Sequence, residues 1–256
     1  VTEHASQMNK QDVPADLLKE AKSAYRRADL VIAVGTALAK NMQRLTGIQA
    51  KVIGNVVDAE PFIKNRRLNV DNNFSFAIVS AGNLIPSKRM DLLVSAFIKF
   101  HRRHKESTLT IFGNGELRPL LEKQISINGL DSVIRLMGIC PHTEMAEIYK
   151  TADCFALPSA SETFGVAYIE AMAAGLPVIA TKCGGPEDFV NDTNGIFIPT
   201  DDEEALVNAM EFMLSNRALY DPERISRDII ERFSANAIAE KLLACYRQIL
   251  PAHQEG

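Results

Sequence analysis

Apolar residues in this chain fall into two alternating patterns. Short unbroken apolar runs, such as Cys154 to Leu157 and Leu176 to Ala180, read as strands buried on both faces. The segments between them place apolar residues at helical spacing. From residue 74 onward the pattern predicts strand 74–80, helix 88–104, strand 107–112, helix 116–127, strand 133–137 and helix 143–151. It continues with strand 153–157, helix 166–174, strands 177–181 and 195–198, and helix 202–214. Pro222 to Leu250 gives one or two closing helices. Strands that alternate with helices form a parallel, doubly wound α/β sheet. Ahead of this run, Pro14 to Arg27 is an amphipathic helix with Leu17, Leu18, Ala21 and Tyr25 on one side. Asp29 to Val34 reads as a strand, Thr36 to Leu45 as a helix and Lys51 to Ile53 as a further strand. Pro61 to Asn73, polar, basic and rich in Asn, reads as a linker between the two runs.

The stretch from Asp153 to Gly185 carries the most chemistry: strand, loop, helix, strand. Its loop lies at the carboxyl end of a strand, where open α/β sheets bind ligands. Glu162 stands before the helix and Glu170 inside it, with seven residues between them. Glu170 then lies roughly 7 Å along the axis from a start near Gly165, at about 1.5 Å per residue. Helical side chains lean toward the amino end, so both carboxylates can face one ligand lying across the helix start. The free N–H groups of that start suit a phosphate. Carboxylates accept from sugar hydroxyls, and a ribose diol can use both oxygens. The same spacing also fits a plain helix start with an acidic neighbour and a surface glutamate within the helix.

The wording around the pair separates these readings. Ser159-x-x-Glu162-x-Phe164-Gly165, followed by Glu170-Ala-Met-Ala-x-Gly-x-Pro-Val-Ile-Ala, resembles the signature of the family 4 glycosyltransferases, which have the GT-B fold. The resemblance runs from about Asn55 to Ala209. It implies a Rossmann-like doubly wound parallel sheet, the carboxy-terminal domain of that fold, with a remnant of the amino-terminal domain. Residues 1–57 would be the end of the amino-terminal (acceptor) domain and the hinge, 58–235 the nucleotide-sugar-binding domain, and 236–256 a helix that crosses back. At the hinge, Gly54 and Val56 stand where the family has Pro and Gly. The chain opens on Val1 with sequence typical of mid-domain, so further amino-terminal sequence is expected.

The resemblance implies sugar transfer from a nucleotide-diphosphate sugar to an acceptor glycan or lipid-linked glycan, with retention of anomeric configuration. Gly82, Asn83 and Lys88 resemble the family's G-R-L-x-x-x-K loop, whose Arg and Lys grip the diphosphate; Lys88 matches and Asn83 replaces the Arg. Gly113, in Gly113-Asn114-Gly115, falls beside the nucleotide, and Met137 and Gly138 fall near the base. On residues alone, Gly113 reads as a tight turn and Lys88 as a solvated lysine at a helix start. Glu162, Thr163, Phe164, Gly165, Val166 and Glu170 complete the implied donor site. Lys88, Glu162 and His4 are the implied catalytic residues, His4 by analogy with a histidine near the donor sugar. A histidine in a frayed terminus is the plainer reading of His4. Phe164 is read as a packing anchor.

Other candidates yield less. His101 and His104, in H-R-R-H-K, read as a cationic helix end. Asp201 to Glu204 read as helix capping. No D-x-D occurs, and no metal or cofactor is expected. Cys140, Cys154, Cys183 and Cys245 form no C-x-x-C and read as structural thiols of a reducing compartment. Net charge is −4, which argues against a general nucleic-acid binder. No run approaches the ~20 apolar residues of a membrane span. A cytoplasmic protein is expected, at the inner membrane face if the amino-terminal part associates peripherally with lipid. Two rival functions fit the same residues: a nucleotide-sugar-binding module without activity, and a GT-B-like epimerase or phosphorylase.

Overall fold

Burial on both faces explains which apolar runs form the central strands. The computed structural model describes residues 1–4, 6–9, 13–63 and 76–250. The first part carries β1 (Thr2–Glu3), α1 (Ala15–Arg26), β2 (Ile32–Ala33), α2 (Thr36–Thr46), β3 (Lys51–Val52) and the single-turn helix α3 (Glu60–Ile63). The second carries β4 (Phe76–Ala81), α4 (Met90–Arg103), β5 (Ser107–Phe112), α5 (Arg118–Ile127), β6 (Ile134–Gly138) and α6 (His142–Tyr149). It continues through β7 (Cys154–Leu157), α7 (Val166–Ala173), β8 (Val178–Thr181), β9 (Gly195–Ile198), α8 (Glu203–Ser215), α9 (Pro222–Phe233) and α10 (Ala235–Ile249).

Two parallel sheets result. The small one has the order β1-β2-β3, the large one β6-β5-β4-β7-β8-β9. Every residue of β7 and β8 is buried, whereas the edge strands β6 and β9 are partly exposed. Counted along the large sheet, the strand order is 3-2-1-4-5-6, the Rossmann arrangement. Connections leave β4 toward one edge and β7 toward the other. The carboxyl ends of β4 and β7 therefore flank the crevice at the topological switch point.

The two sheets meet through the loop that enters α7. The Phe164 ring is buried and packs against Phe189 and Phe233, with ring centroids 5.4 Å away in each case. Gly54 lies on this aromatic cluster: a Cβ there would stand 2.8 Å from both the Phe164 and the Phe233 rings. Gly54 is thus the residue that lets the segment after β3 approach the loop. The Val57 N–H donates to the Phe233 carbonyl at 2.9 Å, and the Thr36 N–H at the start of α2 donates to Asp188 Oδ2 at 2.7 Å. Lys241 of α10 donates to the Arg232 carbonyl at 2.8 Å, while Leu243 and Tyr246 on the same helix are exposed.

Three sequence expectations need correction. The helix expected from Lys88 begins at Met90. Pro86 to Lys88 form a single 3-10 turn, closed by the Lys88 N–H on the Ile85 carbonyl, and Arg89 takes a left-handed φ of 51°. The expected linker is helical at its start: α3 includes Pro61, and Phe62 is buried against Tyr149 with centroids 5.5 Å apart. The rest of that linker, and Phe74, lie outside the described residues. His101 is no part of a solvated cationic end. It is buried, stacks on Phe97, and places Nδ1 within 3.2 Å of the Ser107 carbonyl; burial pushes its pKa down. His104 does meet a carboxylate, Glu211 of α8, at 2.6 Å.

Candidate functional site

The loops after β4 and β7 are tied together at the switch point. The Ala160 N–H donates to the Ser87 carbonyl at 2.8 Å. One step on, Lys88 Nζ meets Glu162 Oε1 at 2.6 Å. The Ser159 hydroxyl donates to the same oxygen at 2.8 Å, and the Thr181 hydroxyl donates to the Ser159 carbonyl. The Glu162 backbone is fixed on both sides, its N–H to the Cys183 carbonyl and its carbonyl to the Gly185 N–H. The Glu162 side chain is 8% exposed and that of Lys88 22%, so the pair sits at a half-open mouth rather than in bulk water.

Gly165 caps α7 from the left-handed region, φ 101°, a conformation that costs a residue with a Cβ about 1 kcal/mol or more. No side-chain hydrogen bond caps that start, which leaves its first amides, four residues past Glu162, without a side-chain acceptor. Val166, the first helical residue, is exposed. Thr163 lies at the junction of the two sheets: a Cβ on Gly35 would stand 2.5 Å from the Thr163 carbonyl oxygen.

Glu170 is largely buried one turn further on, and His142 Nε2 is its partner at 3.5 Å. Burial raises the Glu170 pKa above the ordinary carboxylate value; His142 opposes this and Asp58 adds to it. The folded chain therefore holds this proton more tightly than the unfolded chain does. Stability contributed here falls as pH rises from the ordinary carboxylate range through the folded pKa, and above that pKa the ionised carboxylate carries a cost. Glu170→Gln is accordingly expected to raise the thermal unfolding midpoint at pH 7 and to leave it nearly unchanged at pH 4. Midpoints recorded at both values check this, and a midpoint lowered at pH 7 contradicts it.

The remaining expected positions lie along the carboxyl ends of β4, β5 and β6. The Gly82 N–H donates to the Phe112 carbonyl, and the Gly113 N–H to the Gly138 carbonyl. The loops that follow are laced by Leu84 N–H to Asn114 O and Leu117 N–H to Leu84 O, both at 2.9 Å. Asn83 and Met137 are exposed. Arg89 does not stand in for a cation at position 83, because its guanidinium pairs with Asp201 and Asp91. Asp202 caps α8 by accepting from the Ala205 N–H at 2.8 Å. His4 follows β1 at the carboxyl end of the small sheet and is exposed. The four cysteines are free thiols, and burial pushes the Cys183 pKa up to about 11. Among the described residues, no three His, Cys, Asp or Glu side chains converge to hold a metal ion, and no helix is long and apolar enough to cross a membrane.

Sequence reasoning missed Ser159, His142 and Asp58. Ser159 had a signal, since it opens the S-x-x-E wording three residues before Glu162. His142 and Asp58 reach Glu170 from 28 and 112 positions away, beyond any local pattern.

Residues 62–232 match the family described as Glycosyl transferases group 1. An uncharacterized glycosyltransferase of Methanocaldococcus jannaschii is 28% identical over 173 residues, which cover 66% of this chain and 44% of that protein. Sulfoquinovosyl transferase SQD2 of Arabidopsis thaliana is 26% identical over 233 residues, 85% of this chain and 44% of its own length. The chain spans about half the length of the curated relatives it matches, or less. In fold it is similar to sucrose-phosphate synthase of Thermosynechococcus elongatus, with a TM-score of 0.83 at 23% identity, covering 97% of this chain and 67% of that one. It is also similar to HepE of Anabaena, determined with UDP and glucose, with a TM-score of 0.81 at 22% identity, covering 96% and 71%. These neighbours share its α/β architecture of parallel sheets, the GT-B type. The chain belongs to the group 1 glycosyl transferases.

Proposed function

We propose that this chain binds a nucleotide-diphosphate sugar at the switch point between β4 and β7, for transfer to an acceptor glycan or lipid-linked glycan with retention, as in family 4. The observation that carries the reading is the meeting of Lys88 and Glu162 at a half-open mouth beside the uncapped start of α7. As the bond from the anomeric carbon to the diphosphate oxygen breaks, the sugar ring becomes oxocarbenium-like and the diphosphate gains negative charge. Lys88 Nζ and the first amides of α7 are placed to hold that charge, which makes the leaving group better. Glu162, positioned by Ser159, orients the sugar hydroxyls, and Glu170 accepts from the ribose. The bound diphosphate competes with Glu162 for Lys88.

In this reading Gly82, Asn83 and Gly113 flank the phosphates, Met137 and Gly138 the base, and Thr163, Phe164, Gly165 and Val166 form the loop and helix start beneath them. His4 approaches the donor sugar from the small sheet. Residues 1–57 serve the acceptor side and the hinge, 58–235 the donor, and 236–256 the return crossing. The charge on the leaving group is met by Lys88 and backbone amides, with no metal assigned a step. The setting proposed is the cytoplasm, with acceptor contacts, and any contact with a membrane face, belonging to the amino-terminal side. By itself the chain is expected to bind donor without transferring it. HepE, determined with UDP and glucose, supports a nucleotide sugar as the ligand class.

Calorimetric titration with a panel of UDP-, GDP- and ADP-sugars tests the reading. Saturable binding of at least one, weakened by Glu162→Gln, is expected; no binding of any contradicts it. Binding without turnover in the enzyme that carries these residues would favour a non-catalytic module, for which the exposed Asn83 in the family's Arg position speaks.

A further inference from the structure

We propose that His142 is a positioning residue for the donor's ribose: its imidazole steadies one oxygen of Glu170, leaving the other to accept from the ribose hydroxyls. The inference rests on reading Glu170 as the ribose acceptor. His142 is the first residue of α6, directly after Pro141, at the end of the loop that leaves β6. That loop leads from Gly138, beside the base in the proposed function, to the flank of α7. His142 Nε2 stands 3.5 Å from Glu170 Oε1, with half of the imidazole side chain exposed and only 13% of the Glu170 side chain. The ring is held from behind by Phe62, with centroids 5.9 Å apart and planes tilted by 47°.

The chemistry explains why such a partner is needed. To accept from both hydroxyls of a diol, Glu170 must be ionised and must not swing. Burial and the carboxylate of Asp58 oppose ionisation, and His142 opposes that pressure. Tyr149, from the same helix as His142, is buried and neutral at physiological pH, since burial raises its pKa well above the ordinary value. It supplies no countercharge. The imidazole also has a shape reason to be here. Phe62 and Tyr149 pack on each other, so the ring that backs His142 is itself buttressed.

The proposal is tested by titrating the chain with UDP, GDP and ADP, then comparing the tightest of them with its 2′,3′-dideoxy counterpart. His142→Ala is expected to weaken the ribonucleotide about tenfold, the scale of losing the partner of a largely buried carboxylate, and to leave the dideoxy compound nearly unchanged. His142→Gln, which keeps an N–H donor, is expected to restore most of the preference for ribose. A His142→Ala variant that weakens both nucleotides equally, or neither, overturns the positioning role. Glu170→Gln, measured in parallel, separates the two levels. If it leaves the ribose preference intact, the ribose reading of Glu170 fails and His142 falls with it. If it abolishes the preference while His142→Ala does not reduce it, only the role of His142 fails. Unfolding midpoints of each variant establish that binding is compared between folded proteins.

Discussion

Lys88→Ala is expected to lower sugar-transfer turnover by about 10²–10³-fold, the scale of losing one group that meets charge developing in the transition state. The side chain reaches the switch-point mouth from a 3-10 turn that is closed by the Lys88 N–H on the Ile85 carbonyl and pinned at its middle residue, Ser87, whose carbonyl accepts from the Ala160 N–H. A cation held on so short a tether costs little reorganisation when the diphosphate leaves. Removing it also takes the countercharge from Glu162, 8% exposed, which keeps the Ser159 hydroxyl, and losing the charged partner of a largely buried carboxylate costs about 1–3 kcal/mol. Two controls divide these effects. Lys88→Arg keeps the charge and is expected to recover part of the turnover. Glu162→Gln in the Lys88→Ala background removes the stranded charge and is expected to restore stability but not turnover. Turnover is measured in the transferase that carries these 256 residues. A Lys88→Ala enzyme with unchanged turnover removes Lys88 from the mechanism.

Phe164→Ala is expected to cost about 3–5 kcal/mol of folding stability, the range for truncating a buried aromatic ring. Phe164 is 1% exposed and joins three parts of the chain: the loop before α7, the end of α9 through Phe233, and the 3-10 turn that leads to Phe189. Gly54, just after β3, rests on the same rings. Backbone presses on Phe164 from two sides: Gly54 against its ring, and Gly185 against its main chain, where a Cβ would stand 2.2 Å from the Phe164 carbonyl oxygen. The loss should therefore fall at the upper end and should also loosen the loop between Glu162 and the start of α7. Chemical denaturation measures the first effect and donor titration the second. Phe164→Leu, which keeps most of the volume, is expected to cost less than half as much. A loss below about 1 kcal/mol for Phe164→Ala would show that the rings do not hold the loop.

The fold was legible because its central strands are covered on both faces. Such strands must be apolar without interruption, and Val178-Ile179-Ala180 can hardly be read otherwise. The wording from Ser159 to Ala180 likewise marked the loop and helix where Lys88 and Glu162 meet. What escaped reading depended on contacts between distant segments. Local polarity made Pro61 to Asn73 look like a linker, yet its start forms a helical turn whose Phe62 is buried against Tyr149. His101 looked basic because of its neighbours Arg102 and Arg103. Its position four residues after Phe97 puts it on the apolar stripe of α4, and the 3.6-residue period outweighs the charge of the next residues. The delayed start of α4 came from a left-handed Arg89, a conformation that no pattern of apolar positions signals. The partnership of Glu170 with His142 and Asp58 is a product of the sheet order, and it appears only when β6 and β7 are brought to their places in it.

The account stands on one placement: a diphosphate against the opening amides of α7, with Lys88 on its oxygens and the ribose on Glu170. A crystal structure of the chain with a bound nucleoside diphosphate measures it directly. The account predicts phosphate oxygens about 3 Å from the Val166 N–H and from Lys88 Nζ, with Lys88 drawn off Glu162 and a ribose hydroxyl on Glu170. A nucleotide bound elsewhere, for instance in the groove between β9 and α8, with Lys88 still paired to Glu162, would contradict it.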